Sequence, residues 1–207
     1  MSETGGNVYD KYASRHPIER RLVDGFLTEL DRLVALTGAR EAHEVGCGEG
    51  ELARRLAHKG LRVRGTDASA GVVAEAQARA REAELEIDFE TRPIEALAPE
   101  RDAAELIVCC EVLEHVSDPQ AALGILEKLA RPWLVVSVPR EPLWRVLNLA
   151  RLKYVGELGN TPGHLNHWSR RGLRELLDGR LEVVEVSSPL PWTMALCRAH
   201  QGQAARS

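Results

Sequence analysis

Two nearly uninterrupted apolar runs, Leu106–Cys110 and Trp133–Val138, constrain the fold of this chain more than any other feature. A strand that is apolar on both sides needs cover on both faces, as in parallel sheets with helices on either side. Three more short strand-like runs, Glu41–Val45, Leu61–Thr66 and Leu85–Phe89, alternate with segments of helical periodicity. The alternation predicts an α/β, doubly wound fold with right-handed crossovers.

The helical segments have recognisable ends. Pro17 suits the first turn of a helix over 17–37, and Gly38 suits its end. One stripe of this helix carries Ile18, Leu22, Phe26, Leu30, Leu33 and Val34. Further helices are predicted near Glu51–His58, over 69–82, over 118–130 with Asp118-Pro119 at the start, and over Arg170–Leu177 after Ser169.

The C-terminal part breaks the alternation. Leu181–Val186 and Trp192–Cys197 are predicted strands, and only residues 187–191 separate them. A parallel crossover needs about a dozen residues or more, so these strands, if neighbours, are antiparallel. The sequence thus predicts a mostly parallel, seven-stranded sheet with one antiparallel strand near its C-terminal edge.

Length and composition limit the class of protein. The 207 residues suggest a single domain, 1–207. The net charge of −4 differs from the positive charge that is typical of nucleic-acid-binding proteins. No apolar run approaches the roughly 20 residues of a membrane span, and the N-terminus lacks a signal-peptide pattern. The cysteines form no C-x-x-C pair, which favours reduced thiols and a cytoplasmic protein, either monomer or homodimer.

A glycine-rich turn follows the first predicted strand. Gly46, Gly48 and Gly50 are spaced G-x-G-x-G, one residue shorter than the dinucleotide fingerprint G-x-G-x-x-G. Glu44 lies just before the turn, where an anion disfavours a pyrophosphate and favours a cationic ammonium group. This pattern argues against a nicotinamide dehydrogenase; a tight turn without a ligand is the structural alternative.

Asp67 ends the second predicted strand, 21 residues after Gly46. A carboxylate near this offset accepts hydrogen bonds from ribose hydroxyls, although Asp67 or Ser69 would equally cap the next helix. Glu44 and Asp67 together describe a ligand with an amine and a ribose but no phosphates. S-adenosylmethionine fits that description.

The segments Glu44–Gly50, Asp67 and Glu111–Pro119 resemble the class I S-adenosylmethionine-dependent methyltransferases, over about residues 40–140. The resemblance implies that the methyl donor binds at the glycine turn and that the sheet carries a reversed strand. It also implies roles for individual residues. Those expected to bind the cofactor are Glu44, Gly46, Gly48 and Gly50 for the methionine part, Asp67 for the ribose, Ala68 near the adenine, and Cys110 and Glu111 closing the site.

One stretch departs from the family pattern. Many relatives carry an acidic residue after the third strand that contacts the adenine amine. This chain has Arg92-Pro93-Ile94-Glu95 there, with proline in place of the acid. Proline also lacks an N–H donor. The adenine contact therefore stays open, with packing of Ile94 on the ring as one option.

Three histidines are candidate catalytic residues. His115 follows the fourth strand, at the edge where open α/β sheets bind ligands. His164 and His167 lie in the loop Thr161–Ser169, which begins with a Pro-Gly turn. Histidine suits general-base catalysis with a hydroxyl acceptor. Structural loop histidines are the alternative at each position.

Glu111, Glu114 and His115 form an E-x-x-E-H group whose members share a face if the segment is helical. Two carboxylates and an imidazole suit a divalent cation such as Mg²⁺ or Mn²⁺. The pattern resembles the metal-binding segment of ubiquinone-pathway O-methyltransferases and of small-RNA 2′-O-methyltransferases, which add a later histidine. Related segments also occur with no metal role, so the sequence leaves metal binding unknown.

Two flanking segments are expected to form the acceptor side. Residues 1–38 are predicted to form an N-terminal helical lid. In this lid Tyr9 or Tyr12 would lie against the sulfonium in a cation–π contact. The alternative is that both tyrosines belong to a partly ordered terminus. Residues 140–170 are predicted to form an acceptor-side insertion, whose amphipathic stretch 142–155 suits a lid, a dimer surface or core.

The leading hypothesis is a methyltransferase that acts on a small-molecule acceptor, on oxygen. RNA or protein acceptors, and a non-catalytic domain of the same fold, are the alternatives.

Overall fold

The two apolar runs form neighbouring central strands of one seven-stranded sheet. A computed structural model describes residues 16–150 and 155–200. The strands are β1 (Glu41–Val45), β2 (Arg62–Asp67), β3 (Asp88–Thr91), β4 (Ala104–Cys110), β5 (Ala130–Pro139), β6 (Leu181–Ser187) and β7 (Trp192–Ala199). Their order across the sheet is β3-β2-β1-β4-β5-β7-β6, and β7 alone runs antiparallel to its neighbours. The predicted fold class, with its single reversed strand beside the C-terminal edge, is confirmed.

Seven α-helices and two 3₁₀ turns are present in the described part of the chain. The 3₁₀ turns span Ile94–Ala96 and Val155–Glu157. The helices are α1 (Pro17–Thr37), α2 (Glu51–His58), α3 (Ala70–Glu82), α4 (Pro99–Asp102), α5 (Pro119–Leu129), α6 (Leu143–Ala150) and α7 (Arg170–Asp178). Within the same described residues, no helix combines the length and apolar character that crossing a bilayer requires.

The helix ends follow the predicted capping chemistry. Gly38 ends α1 in the left-handed conformation, with φ of 63°. The Asp118 side chain accepts from the Ala121 N–H at the start of α5, and Ser169 accepts from the Gly172 N–H at the start of α7. Each side chain satisfies an N–H that has no partner within its helix.

The third strand begins three residues later than predicted, at Asp88 instead of Leu85. The Leu85 N–H donates to the Ala80 carbonyl, and Glu84 has a positive φ of 55°. Leu85 therefore still belongs to the turn that ends α3. The apolar pattern alone did not reveal this, since a half-buried residue is compatible with either element.

Alternate residues of the central strands face two helical layers. On β4, Val108 packs with α1, α2 and α3, whereas Ile107 packs with α5 and α7, and both are fully buried. This double cover explains the uninterrupted apolar runs. The stripe of α1 is buried at Phe26 and Leu30, but Ile18 in its first turn is 65% exposed, contrary to the predicted stripe.

A buried polar network lies beneath the first two strands. His43 on β1 is fully buried; its Nδ1 lies 2.8 Å from the Asp102 carbonyl and its Nε2 lies 2.9 Å from the Thr66 hydroxyl. Because a carbonyl only accepts, Nδ1 carries the proton and Nε2 accepts from Thr66. The Asp102 carboxylate binds Arg92 at 2.6 Å and the Ala98 N–H at 2.7 Å. The network therefore holds a neutral imidazole.

We expect this imidazole to make stability depend on pH. Burial lowers the pKa of His43 to about 4, from 6.5. In the unfolded chain the imidazole is protonated near pH 6.5, whereas in the folded chain it is protonated only near pH 4. The free energy of unfolding therefore falls as the pH is lowered from 6.5 to 4. Between pH 7 and pH 5 the loss is on the order of 1.5–2 kcal/mol from this residue.

Urea unfolding at pH 7 and pH 5 measures this loss. His43→Gln should lose less stability between the two pH values than the native chain. His58→Gln, at an exposed position in α2, should keep the native difference. An unchanged pH dependence in His43→Gln would contradict the assignment.

Candidate active site

The glycine turn is fixed to the end of β2 by main-chain hydrogen bonds. The N–H groups of Gly46 and Cys47 both donate to the Thr66 carbonyl, at 2.7 and 2.9 Å. The Gly48 N–H donates to Asp67 Oδ2 at 3.0 Å, and the Gly50 N–H donates to the Cys47 carbonyl at 2.9 Å. These four donors are thus used within the chain. An anionic pyrophosphate needs such donors, so this turn is not arranged as a phosphate cradle.

Close packing explains two of the three glycines. A Cβ at Gly46 would lie 2.2 Å from Val112 Cγ2, and a Cβ at Gly50 would lie 2.7 Å from the ring of Phe89. All three glycines also have positive φ, between 50° and 75°. A Cβ at Gly48 would meet nothing within 4 Å, so this glycine is the one that faces open space.

Glu44 supplies a buried carboxyl group beside the turn. Its side chain is 3% exposed and is bonded by the Ala53 N–H in the first turn of α2, while Oε2 is buried with no hydrogen-bond partner among the described residues. Burial raises the pKa of Glu44 to about 8, with a smaller contribution from the Asp67 charge. A buried carboxylate oxygen without a donor is costly unless a ligand supplies one. An ammonium group fits this position.

Asp67 is oriented before any ligand binds. Its Oδ2 accepts from the Gly48 N–H at 3.0 Å and its Oδ1 accepts from the Ser69 N–H at 2.9 Å. The N-cap of α3 is Ser69, and no side chain caps this helix. Asp67 therefore shapes the turn before α3, and its remaining lone pairs are available for the predicted contact with ribose hydroxyls. Ala68, which follows it, is exposed.

The segment after β4 closes over the glycine turn through Val112. Cys110, the last residue of β4, is 8% exposed and packs in the core. Glu111 has a positive φ of 61°, which is uncommon for a residue with a side chain and marks strained positions near functional sites. Its carboxylate accepts from the Ser137 hydroxyl at 3.2 Å and from the Trp192 indole N–H at 2.7 Å.

The E-x-x-E-H segment is a turn and not a helix, and this separates its carboxylates. The His115 N–H donates to the Val112 carbonyl at 2.9 Å, as in a turn. Glu111 is held by Ser137 and Trp192, on β5 and β7. Glu114 is instead 1% exposed, and its main-chain carbonyl accepts from the N–H groups of Leu165 and Asn166 in the loop of His164, so the shared helical face did not form.

The structure brings the three predicted histidines together. The ring centroids of His115 and His164 are 4.9 Å apart, and those of His164 and His167 are 6.4 Å apart. Trp144 on α6 stacks on His164 at 6.3 Å. Burial lowers the pKa of His164 to about 4, and the charges of the other two histidines add to this effect. His164 is therefore neutral at physiological pH.

The histidines differ in their partners. His115 Nδ1 lies 3.0 Å from the Gly163 carbonyl, so Nδ1 carries a proton, and in the neutral ring the lone pair is on Nε2. His167 Nε2 lies 2.7 Å from Asn160 Oδ1 and 3.2 Å from Arg145. His115 thus presents a basic nitrogen, whereas the corresponding nitrogen of His167 is already in use.

One group of potential metal ligands lies within the described residues, and it differs from the E-x-x-E-H group. Ligand atoms of Glu114, His115 and His164 all lie within 4.8 Å of one another. Glu111 is not part of this group. A carboxylate with two imidazoles is a donor set for first-row transition metals more than for Mg²⁺, which prefers oxygen ligands alone.

Sequence reasoning missed the residues that hold the site in shape. Val112 covers Gly46, Trp192 and Ser137 bind Glu111, and Thr66 anchors the glycine turn. One signal was available: Ser137 is the single polar residue in the apolar run Trp133–Val138. Trp192 and Glu111 are 81 residues apart in sequence, so local patterns do not show their contact. Tyr9 and Tyr12 lie outside the described residues.

Comparison with known proteins identifies methyltransferase relatives. Residues 42–132 match the methyltransferase domain family. A ubiquinone biosynthesis O-methyltransferase of Bradyrhizobium sp. (strain ORS 278) is 31% identical over 201 residues, which cover 90% of this chain and 79% of that protein. The corresponding protein of Coxiella burnetii (strain RSA 493 / Nine Mile phase I) is 28% identical over 167 residues, covering 73% and 70%.

Solved structures share the fold. Magnesium protoporphyrin IX methyltransferase from Synechocystis PCC 6803 with bound S-adenosylhomocysteine has a TM-score of 0.68 at 22% identity, covering 90% of this chain and 89% of that one. The N-methyltransferase NodS from Bradyrhizobium japonicum WM9, also with S-adenosylhomocysteine, has a TM-score of 0.68 at 22% identity, covering 93% of each.

The chain belongs to the class I S-adenosylmethionine-dependent methyltransferases. It is an enzyme, and its cofactor is S-adenosylmethionine. The buried carboxylate of Glu44 and the open space at Gly48 fit the amino-acid part of that cofactor.

Binding of the cofactor should release a proton at neutral pH. The carboxyl of Glu44, with a pKa of about 8, is mostly protonated in the empty site at pH 7, and a bound ammonium group favours its ionised form. Calorimetry with S-adenosylhomocysteine in buffers of different ionisation enthalpy measures the release, which we expect to be close to one proton.

Glu44→Gln tests the source of that proton. The variant should release none and should bind on the order of 10- to 100-fold more weakly, since a charge-assisted hydrogen bond is lost. Glu82→Gln, at the exposed end of α3, serves as a control that keeps the release. Native-like proton release in Glu44→Gln would rule out this residue.

Proposed function

We propose that this methyltransferase acts on a hydroxyl oxygen of a small molecule. The observation that carries the proposal is the orientation of His115, whose Nδ1–H donates to the Gly163 carbonyl and whose Nε2 lone pair remains for a proton. A hydroxyl is a poor nucleophile at neutral pH and needs a base in the transition state. His115 follows β4, at the edge of the sheet where ligands bind in such folds.

When bound, S-adenosylmethionine supplies an electrophilic methyl group whose thioether leaving group needs no acid. His115 Nε2 takes the hydroxyl proton as the acceptor oxygen forms its bond to the methyl carbon and the sulfur–carbon bond breaks. The bonding pair stays on sulfur, so the products are the methyl ether, S-adenosylhomocysteine and a protonated imidazole. Positioning of the acceptor in line with the methyl group supplies much of the remaining catalysis.

His164 and His167 shape the acceptor side in this proposal. His164 is neutral and lies against both His115 and Trp144, so it is placed to contact the acceptor beside the base. His167 is tied to Asn160 and Arg145 and supports the loop. In this proposal His115 and His164 contact the acceptor, and His167 acts by holding the loop in place.

The acceptor side is proposed to be built from two segments. Residues 140–170, with α6 and the histidine loop, would form its wall, because Trp144 and the three histidines meet there. Residues 1–38 would form a lid; α1 packs on β5 and β7, and the part before residue 16 lies outside the described residues.

Two observations favour a small-molecule acceptor over RNA. The chain has a net charge of −4, which lowers affinity for a polyanion. The relatives from Bradyrhizobium and Coxiella are named as O-methyltransferases of ubiquinone biosynthesis. A methyl-transfer screen with labelled cofactor over phenols, other alcohols, carboxylates, amines, protein and RNA tests the acceptor class. A product methylated on nitrogen, protein or RNA would overturn the proposal.

Replacement of the base should affect turnover and not cofactor binding. With the acceptor from that screen, His115→Gln should lower kcat by about 10²- to 10⁴-fold, the usual contribution of a general base. The dissociation constant of S-adenosylhomocysteine should change by less than about twofold, since the imidazole does not contact the cofactor in this proposal.

His58→Gln provides the matched control, because His58 is exposed at the end of α2, a helix that packs on β1 and β2. Its kcat should equal that of the native enzyme. Equal losses of kcat and of cofactor affinity in His115→Gln would make His115 structural.

A second candidate, metal-assisted methylation, is favoured by the arrangement of Glu114, His115 and His164. These residues would hold a first-row divalent cation, which would act as a Lewis acid toward an acceptor oxygen. In that case His115 is a ligand and not the base.

Metal removal separates the two mechanisms. If the cation is required, chelation should abolish activity, and Mn²⁺ or Zn²⁺ should restore it. Glu114→Gln and His164→Gln should then weaken Mn²⁺ binding measured directly by calorimetry, while Glu111→Gln should not. Full activity after chelation, with no bound metal by elemental analysis, would eliminate this candidate.

A further inference from the structure

Asn166, in the histidine loop Thr161–Ser169, joins that loop to the turn after β4 that carries His115. Its side-chain Nδ2 donates to the Val116 carbonyl at 2.7 Å and to the Leu113 carbonyl at 3.2 Å. These two carbonyls lie on either side of His115 in the turn. The asparagine side chain therefore holds both ends of the short segment that presents the imidazole.

The chemistry of these contacts requires an amide at position 166. Both partners are carbonyl oxygens, which only accept, so the amide nitrogen of Asn166 and not its oxygen faces the turn. A carboxylate of the same size would place an oxygen atom against two carbonyl oxygens and would repel them. Asparagine and aspartate are thus not equivalent at this position, although they have nearly the same shape.

The main chain around Asn166 strengthens the same junction. The Glu114 carbonyl accepts from the Leu165 N–H at 2.8 Å and from the Asn166 N–H at 3.1 Å. Asn166 therefore supplies three hydrogen bonds to the turn, two from its side chain and one from its main chain. The position of the loop relative to the turn depends on this residue.

The junction also places the carbonyl that contacts the imidazole. The Gly163 carbonyl lies 3.0 Å from His115 Nδ1, and Gly163 has a φ of 89°, in the left-handed region that favours glycine. This contact requires a proton on Nδ1 and leaves the lone pair of the neutral ring on Nε2. An imidazole without such a partner exchanges between its two tautomers.

We propose that Asn166 is a positioning residue that determines which nitrogen of His115 is free to act. By holding the turn against the loop, its amide keeps the Gly163 carbonyl within reach of Nδ1 and leaves Nε2 for the acceptor side. Its effect on turnover rests on the proposed function, whereas its effect on the imidazole needs no acceptor. Nε2 is the free nitrogen whether His115 acts as the base or as a metal ligand.

The tautomer of His115 tests the inference directly. Nitrogen-15 NMR at about pH 8.5, where an ordinary imidazole is neutral, distinguishes the Nδ1–H form from the Nε2–H form. The enzyme is first treated with a chelator, and the signals are assigned by their loss in His115→Gln. The native enzyme should show the Nδ1–H form alone, and Asn166→Asp should show the Nε2–H form.

Turnover should follow the tautomer. With the acceptor from the methyl-transfer screen, Asn166→Asp should lower kcat by at least about tenfold, since a catalytic histidine in the wrong tautomer can lose up to about 10⁴-fold. The dissociation constant of S-adenosylhomocysteine should stay within about twofold of the native value, which shows that the variant is folded. Asn166→Ala removes the donor without adding a repulsive oxygen, so it should show both tautomers and a smaller loss of kcat.

Gln120→Glu is the matched control, because it makes the same exchange of amide for carboxylate at an exposed position of α5. It should keep the native tautomer and the native kcat. The Nδ1–H form alone in Asn166→Asp would overturn the inference, and so would the Nε2–H form in the native enzyme.

Two further outcomes are informative. A changed tautomer with native kcat in Asn166→Asp would support the positioning role and would count against His115 as the base, and hence against the proposed function. If Asn166→Asp loses binding of S-adenosylhomocysteine because it does not fold, Asn166→Ala decides. An unchanged tautomer and an unchanged kcat in Asn166→Ala would then overturn the inference, and a mixture of tautomers would support it.

Discussion

The contact between the glycine turn and its two neighbouring strand ends is the constraint on which the rest of the site depends. The Thr66 carbonyl accepts from two successive N–H groups of the turn, while Val112 fills the space that a Cβ at position 46 would need. The ends of β1, β2 and β4 are thereby fixed relative to one another. Glu44, Asp67 and His115 are carried on those three strand ends, so their separation is set by main-chain packing.

The same contact determines the charge that the turn accepts. In a phosphate-binding turn the N–H groups point at the ligand. Here the four donors of Gly46, Cys47, Gly48 and Gly50 are used inside the protein, and a buried carboxylate stands behind them. A glycine turn of nearly the dinucleotide spacing therefore suits the predicted contact with an ammonium group better than it suits a phosphate. Glu44 before the turn, and the inward direction of the turn's N–H groups, distinguish it from a phosphate-binding turn.

A line of aromatic side chains joins the first helix to the histidines. Phe26 on α1 meets the edge of Trp192 at 5.0 Å, Trp192 lies 5.8 Å from Trp144, and Trp144 stacks on His164. Trp192 also donates to Glu111, at the strained end of β4. The segment 140–170, proposed to line the acceptor, is therefore linked to α1 through ring contacts.

The sequence by itself determined the strand and helix order, the reversed strand, the glycine turn and the carboxylates at positions 44 and 67. These features follow from local periodicity, turn chemistry and short spacings, which a linear pattern records. Only the tertiary structure decided that Glu111 turns to Trp192, that Glu114 joins His115 and His164, and that Leu85 stays with α3. Those outcomes depend on a left-handed residue and on contacts between distant strands, where packing selects among conformations that the local sequence allows equally.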